Sequence, residues 1–502
     1  MPSRALRLPM VGLALLFAGT GAAGQQSSCD LISSLRVVSN RTNNARVSYV
    51  SAPRFECTDG TRIEADSSVT FEATSFTQLF GNVIFRDAKR ELYADRAQYF
   101  SRVGRLQAQG SVRLINLEDG SLLTGEDLVL LQESDDRAEE DVTMREGRPH
   151  ARLVPRVGPD STAVQAGPGV DQPENSVERV PYEVDADLIH LVGDRLFQAR
   201  GRVEVTHEGL HAYGDSLEFQ QEIGWLTLFE NARILSQDTV SGDTLDVRGD
   251  TITMKLPNDQ IDEIEARGRA RLLAQDVDMR GPIIRLVFQE EELERVFAVR
   301  RDVDDGPPPV SGGVDPPASS AHPTQPQAVA ADFVLTGDSI QADLLGGELD
   351  RVTATGTARG VTTSRDSLNT EDTDELFQSD WMEGDTIIAT FRSASVAPGD
   401  ATTDGSGAAE PTGRQIDLLV ARGGARSFYR SARESALADG AAGPQELELN
   451  YVIGDEIRLF MKDGEVEIME VDNPTGINLR PRRAPAPPPD SLPPNGNGDR
   501  RE

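Results

Sequence analysis

Apolar and polar residues alternate one by one along several long stretches of the chain. Leu106, Ala108, Gly110, Val112 and Leu114 fall on one face of an extended segment, and Gln107, Gln109, Ser111 and Arg113 on the other. The same parity separates Phe197, Ala199, Gly201, Val203 and Val205 from Gln198, Arg200, Arg202 and Glu204. It also separates Ile264, Ala266, Gly268, Ala270 and Leu272 from Glu263, Glu265, Arg267, Arg269 and Arg271. A period of two predicts half-buried antiparallel strands, dry on one face and wet on the other. With no comparably clean helical stripe, the expected fold class is all-β.

These strands belong to a repeat. A small residue followed by Asp recurs at Asp66, Asp95, Asp187, Asp215, Asp250, Asp338, Asp385 and Asp455, with a looser copy at Asp127 after Gly125-Glu126. In most copies a strand with a central Gly answers it: Gly81, Gly110, Gly201, Gly268, Gly356 and Gly423, with Glu230 as a degenerate copy. The first six steps are 15, 15, 14, 15, 18 and 18 residues, so a full unit is about 30 residues, as in solenoids and arrays. A recurrent mid-strand Gly predicts a bulge or a close approach of another backbone. The Asp column reads as turn architecture, its carboxylate bonding backbone N–H groups just ahead of it.

Composition divides the repeats into three groups. The first is residues 25–133, the second 181–301, and the third 331–472 with polar insertions at Ser364–Asp380, Pro398–Gly413 and Ser431–Pro444. Between them lie an acidic stretch, 134–180, and a proline-rich one, 302–330; both, like the tail 473–502, read as disordered. The N-terminus carries Arg4 and Arg7, an apolar run from Met10 to Phe17 and then small residues to Gly24, the pattern of a cleaved export signal over 1–24. Cys29 and Cys57 are the only cysteines, which in an oxidising compartment predicts one disulfide; lipid attachment at Cys29 is the competing reading. The net charge of −33 argues against a nucleic-acid partner and against simple adhesion to an anionic membrane.

Catalytic patterns are sparse. Gly19-Thr-Gly21-Ala-Ala-Gly24 has dinucleotide-binding spacing but no preceding strand, and Asp302-Val-Asp304-Asp305-Gly306 lacks the distal half of a calcium loop. His207 and His211, read as one strand face, offer no metal site. No nucleophile elbow or phosphate loop is present, so neither enzymatic activity nor a cofactor is expected.

Leu92-Tyr-Ala-Asp-Arg-Ala-Gln-Tyr99 running into Leu106–Leu114, with Val184–Val205 and Leu210–Leu235, resembles the OstA-like family, the periplasmic lipopolysaccharide-transport proteins that include the bridge protein and the N-terminal domain of its outer-membrane receptor. The likeness spans most of residues 60–300 and, more loosely, the third group. It implies stacked β-jellyroll modules (a β-taco), a periplasmic location and a groove for the acyl chains of lipopolysaccharide or a related glycolipid. It also implies other jellyroll components of the transport system as partners, and open sheet edges add self-association. The groove candidates are Val83, Phe85, Val112, Leu114, Val203, Val205, Ala232, Ile234, Ala270 and Leu272. They either accept hydrocarbon or fill a dry core. Arg113, Arg202, Arg267, Arg269, Arg271, Arg422 and Arg426 either meet a headgroup or pair with acids on the wet face. Three functions are carried forward: a lipid carrier or bridge, a dry scaffold of the cell envelope, and a polysaccharide-degrading β-helix.

Overall fold

The computed structural model describes residues 29–42, 45–134, 136–154, 180–237, 244–257, 260–274, 277–289, 292–300, 325–330, 333–362, 378–392, 415–433, 446–462 and 465–479. The export signal, the glycine motif within it, Asp302–Gly306, His322 and the arginines at 480, 482 and 483 lie outside the described residues. Regular structure among those described is strand, apart from 3-10 geometry at Glu72–Thr74 and at Pro257. All the strand pairs detailed below are antiparallel, so the parallel coil of a β-helix is not this fold.

Two compact units form, one running to Val203 with Gln220–Glu222, the other comprising Glu204–Phe219 and the chain from Ile223 on. The first opens with strands that come in halves: β1 (Cys29–Ser33) and β2 (Arg36–Thr42), β3 (Ala45–Ser51) and β4 (Arg54–Cys57), β5 (Arg62–Glu64) and β6 (Ser67–Phe71). Four long strands follow: β7 (Phe76–Arg86), β8 (Arg90–Phe100), β9 (Arg105–Asn116) and β10 (Leu122–Leu131). Then come the halves β11 (Asp141–Arg145) and β12 (His150–Leu153), and β13 (Tyr182–Asp185) and β14 (Leu188–Val192), before β15 (Leu196–His207). Halves pair with opposite ends of a long neighbour, as β5 and β6 do with β7 and β12 and β11 with β10. Two ladders therefore run side by side, joined through the middle of each long strand. Cys29 and Cys57 face each other on β1 and β4 and form a disulfide across 28 residues, a loop whose closure restricts the unfolded chain by about 3–4 kcal/mol.

The second unit repeats the plan. β16 (Leu210–Gln220), β17 (Trp225–Gln237), β18 (Thr244–Lys255), β19 (Glu263–Ala274) and β20 (Val277–Gln289) are long. β21 (Glu292–Val299) and β22 (Gln327–Ala330), then β23 (Phe333–Thr336) and β24 (Ser339–Leu345), are halves. β25 (Glu348–Thr362), β26 (Asp380–Arg392), β27 (Gln415–Arg433) and β28 (Glu446–Lys462) are long, and β29 (Glu465–Asp472) and β30 (Thr475–Leu479) close the unit. Strands flanking each insertion of the third group pair directly, Thr362 with Asp380, Arg392 with Gln415 and Arg433 with Glu446, so the ladder continues past them.

Three stretches read as disordered contain strand. The end of 302–330 forms β22, which pairs with β20 and β23. β11 and β12 fall within 134–180, where Val142, Met144 and Ala151 are buried and pair outward to β14 and β13. β30 falls within the tail and pairs with β28. Their apolar positions are too few to stand out from the polar residues around them; a neighbouring ladder supplies the partner that composition does not reveal.

The Asp and Gly marks meet in space. Gly81, Gly110, Gly201, Gly268, Gly356 and Gly423 all have positive φ, and a Cβ on any of them would collide with the carboxylate of Asp66, Asp95, Asp187, Asp250, Asp338 or Asp385 respectively. The next residue is also left-handed: Asn82, Ser111, Arg202, Arg269, Thr357 and Gly424. Where its side chain permits, that residue reaches back to the same Asp, as in Asn82 Nδ2 to Asp66 Oδ2 at 2.9 Å and Arg202 Nε to Asp187 Oδ2 at 3.2 Å. Asn231 and Asn473 do likewise with Asp215 and Asp455. The backbone seals the clasp, Asp66 N–H and Asp338 N–H donating to Gly81 O and Gly356 O at 2.9 and 3.0 Å. The partner of the carboxylate is thus the neighbouring strand, where local turn N–H groups were expected. Gly110 does not share the dry face with Ala108 and Val112; it turns half-exposed against Asp95.

One copy shifts by a residue. Glu126, immediately after the small Gly125, takes the acidic place and packs against Gly147. Asp127 is instead buried and bound by Gln107, Gln109 and Arg145.

Gly268→Ala should destabilise by about 3 kcal/mol, combining a left-handed alanine with the Asp250 clash. Gly347→Ala, also at positive φ but with open space around it, should lose only about 1 kcal/mol. Urea unfolding of both variants checks the difference; equal losses would remove the clasp as its cause.

Candidate functional site

The clasp fixes register, and register builds the interior. The residue two after Asp lies opposite the residue two before Gly: Ser68 with Leu79, Ala97 with Ala108, Ile189 with Ala199, Ile252 with Ala266, Ile340 with Ala354 and Ile387 with Ala421. In the second unit these pairs join into one row crossing ten strands, Leu228, Ile252, Ala266, Ile284, Ala298, Ile340, Ala354, Ile387, Ala421 and Ile457. None is more than 1% exposed. From Ile252 onward a branched side chain alternates with a methyl, the large-small pattern that lets neighbours interdigitate. A parallel row on the other ladder runs Ile234, Val247, Leu272, Met279, Ala328 and Leu335, also buried.

All ten groove candidates are buried, the most accessible being Leu114 at 8%. Phe85 and Leu114 share a row through Leu92, and Ile234 and Leu272 share one through Val247. Val83 pairs with Ala94 and Val112 with Gly125, while Ala232 and Ala270 each face a glycine, Gly249 and Gly281. Val203 and Val205 lie on β15, Val203 counted in the first unit and Val205 in the second. The Ile–Ala row was not among the candidates. Four of its five isoleucines, Ile252, Ile340, Ile387 and Ile457, are visible in sequence two places after an Asp, whereas Ile284 is not, and only register shows that each one meets an alanine.

The wet face is charged and largely self-paired. Arg202 bonds Asp187, Arg269 bonds Asp250, Arg267 bonds Glu265, Arg271 bonds Asp278 and Arg422 bonds Glu456. Five of the seven repeat arginines are therefore engaged by acids of their own sheet. Asp246 sits between Arg233 and Arg248; burial works to raise its carboxyl, but hydrogen bonds from the two arginines outweigh this and hold it at about 2. Glu265 and Asp278 are lowered by the same balance, each between two arginines. Arg430, fully buried, donates through Nε to Asp380 at 2.7 Å. His150 lies 3.0 and 3.2 Å from Glu183 and Asp185, and His190 lies 2.9 Å from Asp141. His207 and His211 are not on one strand: β15 ends at the first and β16 contains the second. Among the described residues no group of three or more His, Cys, Asp or Glu could hold a metal ion.

No family model matches the chain, and no curated protein matches it. Among solved structures it is similar to LptH, the LptA homologous periplasmic component of the conserved lipopolysaccharide transport device from Pseudomonas aeruginosa. That match has 15% identity and a TM-score of 0.18, and covers 37% of this chain and 94% of LptH.

Because the folded Asp246 titrates below its unfolded value of about 3.9, its contribution is complete above about pH 4 and is lost as pH falls towards 2. Asp246→Asn should flatten this part of the acid limb, read as the urea midpoint against pH. An unchanged slope would mean that the arginine bridge does not stabilise the fold.

Proposed function

We propose that the chain is a non-enzymatic, exported lipid-binding protein of the periplasm. In this reading its apolar interior receives acyl chains of lipopolysaccharide or a similar glycolipid and passes them towards the outer membrane. The supporting observation is the interior row of the second unit. At about 4.8 Å between neighbouring strands, its ten positions extend roughly 43 Å. Each methylene accommodated there contributes about 0.8 kcal/mol, so a few acyl chains supply ample affinity without a catalytic group. The OstA-like pattern of residues 60–300 and the candidate export signal agree with this reading. Partners would add strands at the ends, where β1 and β2 each pair on one side only among the described residues.

A specific observation favours the second reading, a dry scaffold: the ten groove candidates are already covered by protein. For the lipid reading, the two ladders must part to admit hydrocarbon. The two readings separate on purification of the full chain from the periplasm of a lipopolysaccharide-producing host, followed by native mass spectrometry and lipid extraction. The carrier reading expects bound glycolipid, and expects Ala354→Phe to lose most of it while keeping its strand circular dichroism. A protein that arrives empty and takes up no added lipopolysaccharide is a dry scaffold.

A further inference from the structure

On the wet face of the second unit, four arginines stand directly opposite one another on four successive strands. Arg233 of β17 pairs with Arg248 of β18, Arg248 with Arg271 of β19, and Arg271 with Arg280 of β20. Like charges in register destabilise a sheet, and here they recur three times in a row. Three of these strands, β18, β19 and β20, follow the opposite rule on the other ladder, where Lys255 faces Glu263 and Glu265 faces Arg285. The arginine row is therefore a local exception on a chain of net charge −33.

Two acids pin the row from one side. Asp246 accepts from Arg233 and Arg248, and Asp278 from Arg271 and Arg280, in every case through Nε and Nη2. The carboxylates are 12% and 17% exposed, while the guanidinium side chains are 37–49% exposed. The acids thus lie beneath and orient the arginines, whose Nη1 groups have no partner among the described residues. Four cations against two anions leave a net charge of +2. Towards the clasp, Asp250 and Arg269 cancel each other and do not reduce it.

We propose that this row is a binding site for a phosphate group. A phosphate monoester carries about −1.5 to −2 at neutral pH and matches the uncompensated charge in one group, and its oxygens suit planar guanidinium donors held in a fixed array. The site lies on the face opposite the buried row of Ile234, Val247, Leu272 and Met279, so it does not depend on the interior accepting lipid.

The test is calorimetric titration of the full chain with inorganic phosphate at physiological ionic strength, alongside flotation with phosphatidylcholine vesicles with and without phosphatidic acid. Arg248→Gln/Arg271→Gln should weaken phosphate binding by about tenfold or more, with Arg285→Gln unchanged. Binding of both phosphate and phosphatidic acid vesicles assigns the site to lipid headgroups, and binding of phosphate alone assigns it to a soluble phosphate ester. Should the double variant fail to fold, Arg271→Lys keeps the charge but loses the fork, and a several-fold loss is expected. The proposal is overturned by absence of phosphate binding, by equal binding in the wild type and the folded variant, or by polyglutamate displacing phosphate at equal charge. Lipid extraction reads the interior and phosphate titration reads the outer face, so failure of one is distinguishable from failure of the other.

Discussion

The contact between an aspartate carboxylate and a left-handed glycine on the neighbouring strand is the constraint on which the structure depends. Its electrostatic part is modest, since pairs such as Arg202 with Asp187 are exposed to solvent and screened. Its steric part is not. In six copies a glycine leaves room for the carboxylate, and two consecutive left-handed residues fit one place along the strand, a pair that Glu230 and Asn231 supply opposite Asp215. A slip by one residue would bring a Cβ against the acid and turn the dry face outward. Repetition of the clasp holds ladder after ladder in one register.

From that register follow both faces. Inward, isoleucine is carried opposite alanine, so that a large side chain meets a small one along the row. Outward, acids and arginines are brought into fixed cross-strand positions. On one ladder the charges alternate and cancel; on the other, arginines align and share two half-buried acids. The depressed carboxyl of Asp246 follows from this geometry, because two guanidinium forks converge on one half-buried group.

The same pairing explains why composition misjudged the stretches between repeats. A segment such as Asp141–Arg145 offers only Val142 and Met144 to a core, too little to order itself. Placed between β10 and β14, it needs only to complete a ladder whose register is already set. Local polarity therefore does not predict disorder where both neighbours are waiting strands.

The strand parity of Phe197–Val205 and Ile264–Leu272, the spacing of Asp and Gly and the lone cysteine pair were legible in sequence, because alternation and turn chemistry are local properties. They sufficed for an antiparallel all-β fold with a bulge at each central glycine. What lay beyond them was non-local. That Asp250 meets Gly268, that Glu126 rather than Asp127 holds the acidic place, and that Arg233, Arg248, Arg271 and Arg280 form one row all depend on which residues stand opposite each other. Register is a relation between strands, and only the tertiary structure supplies the second strand.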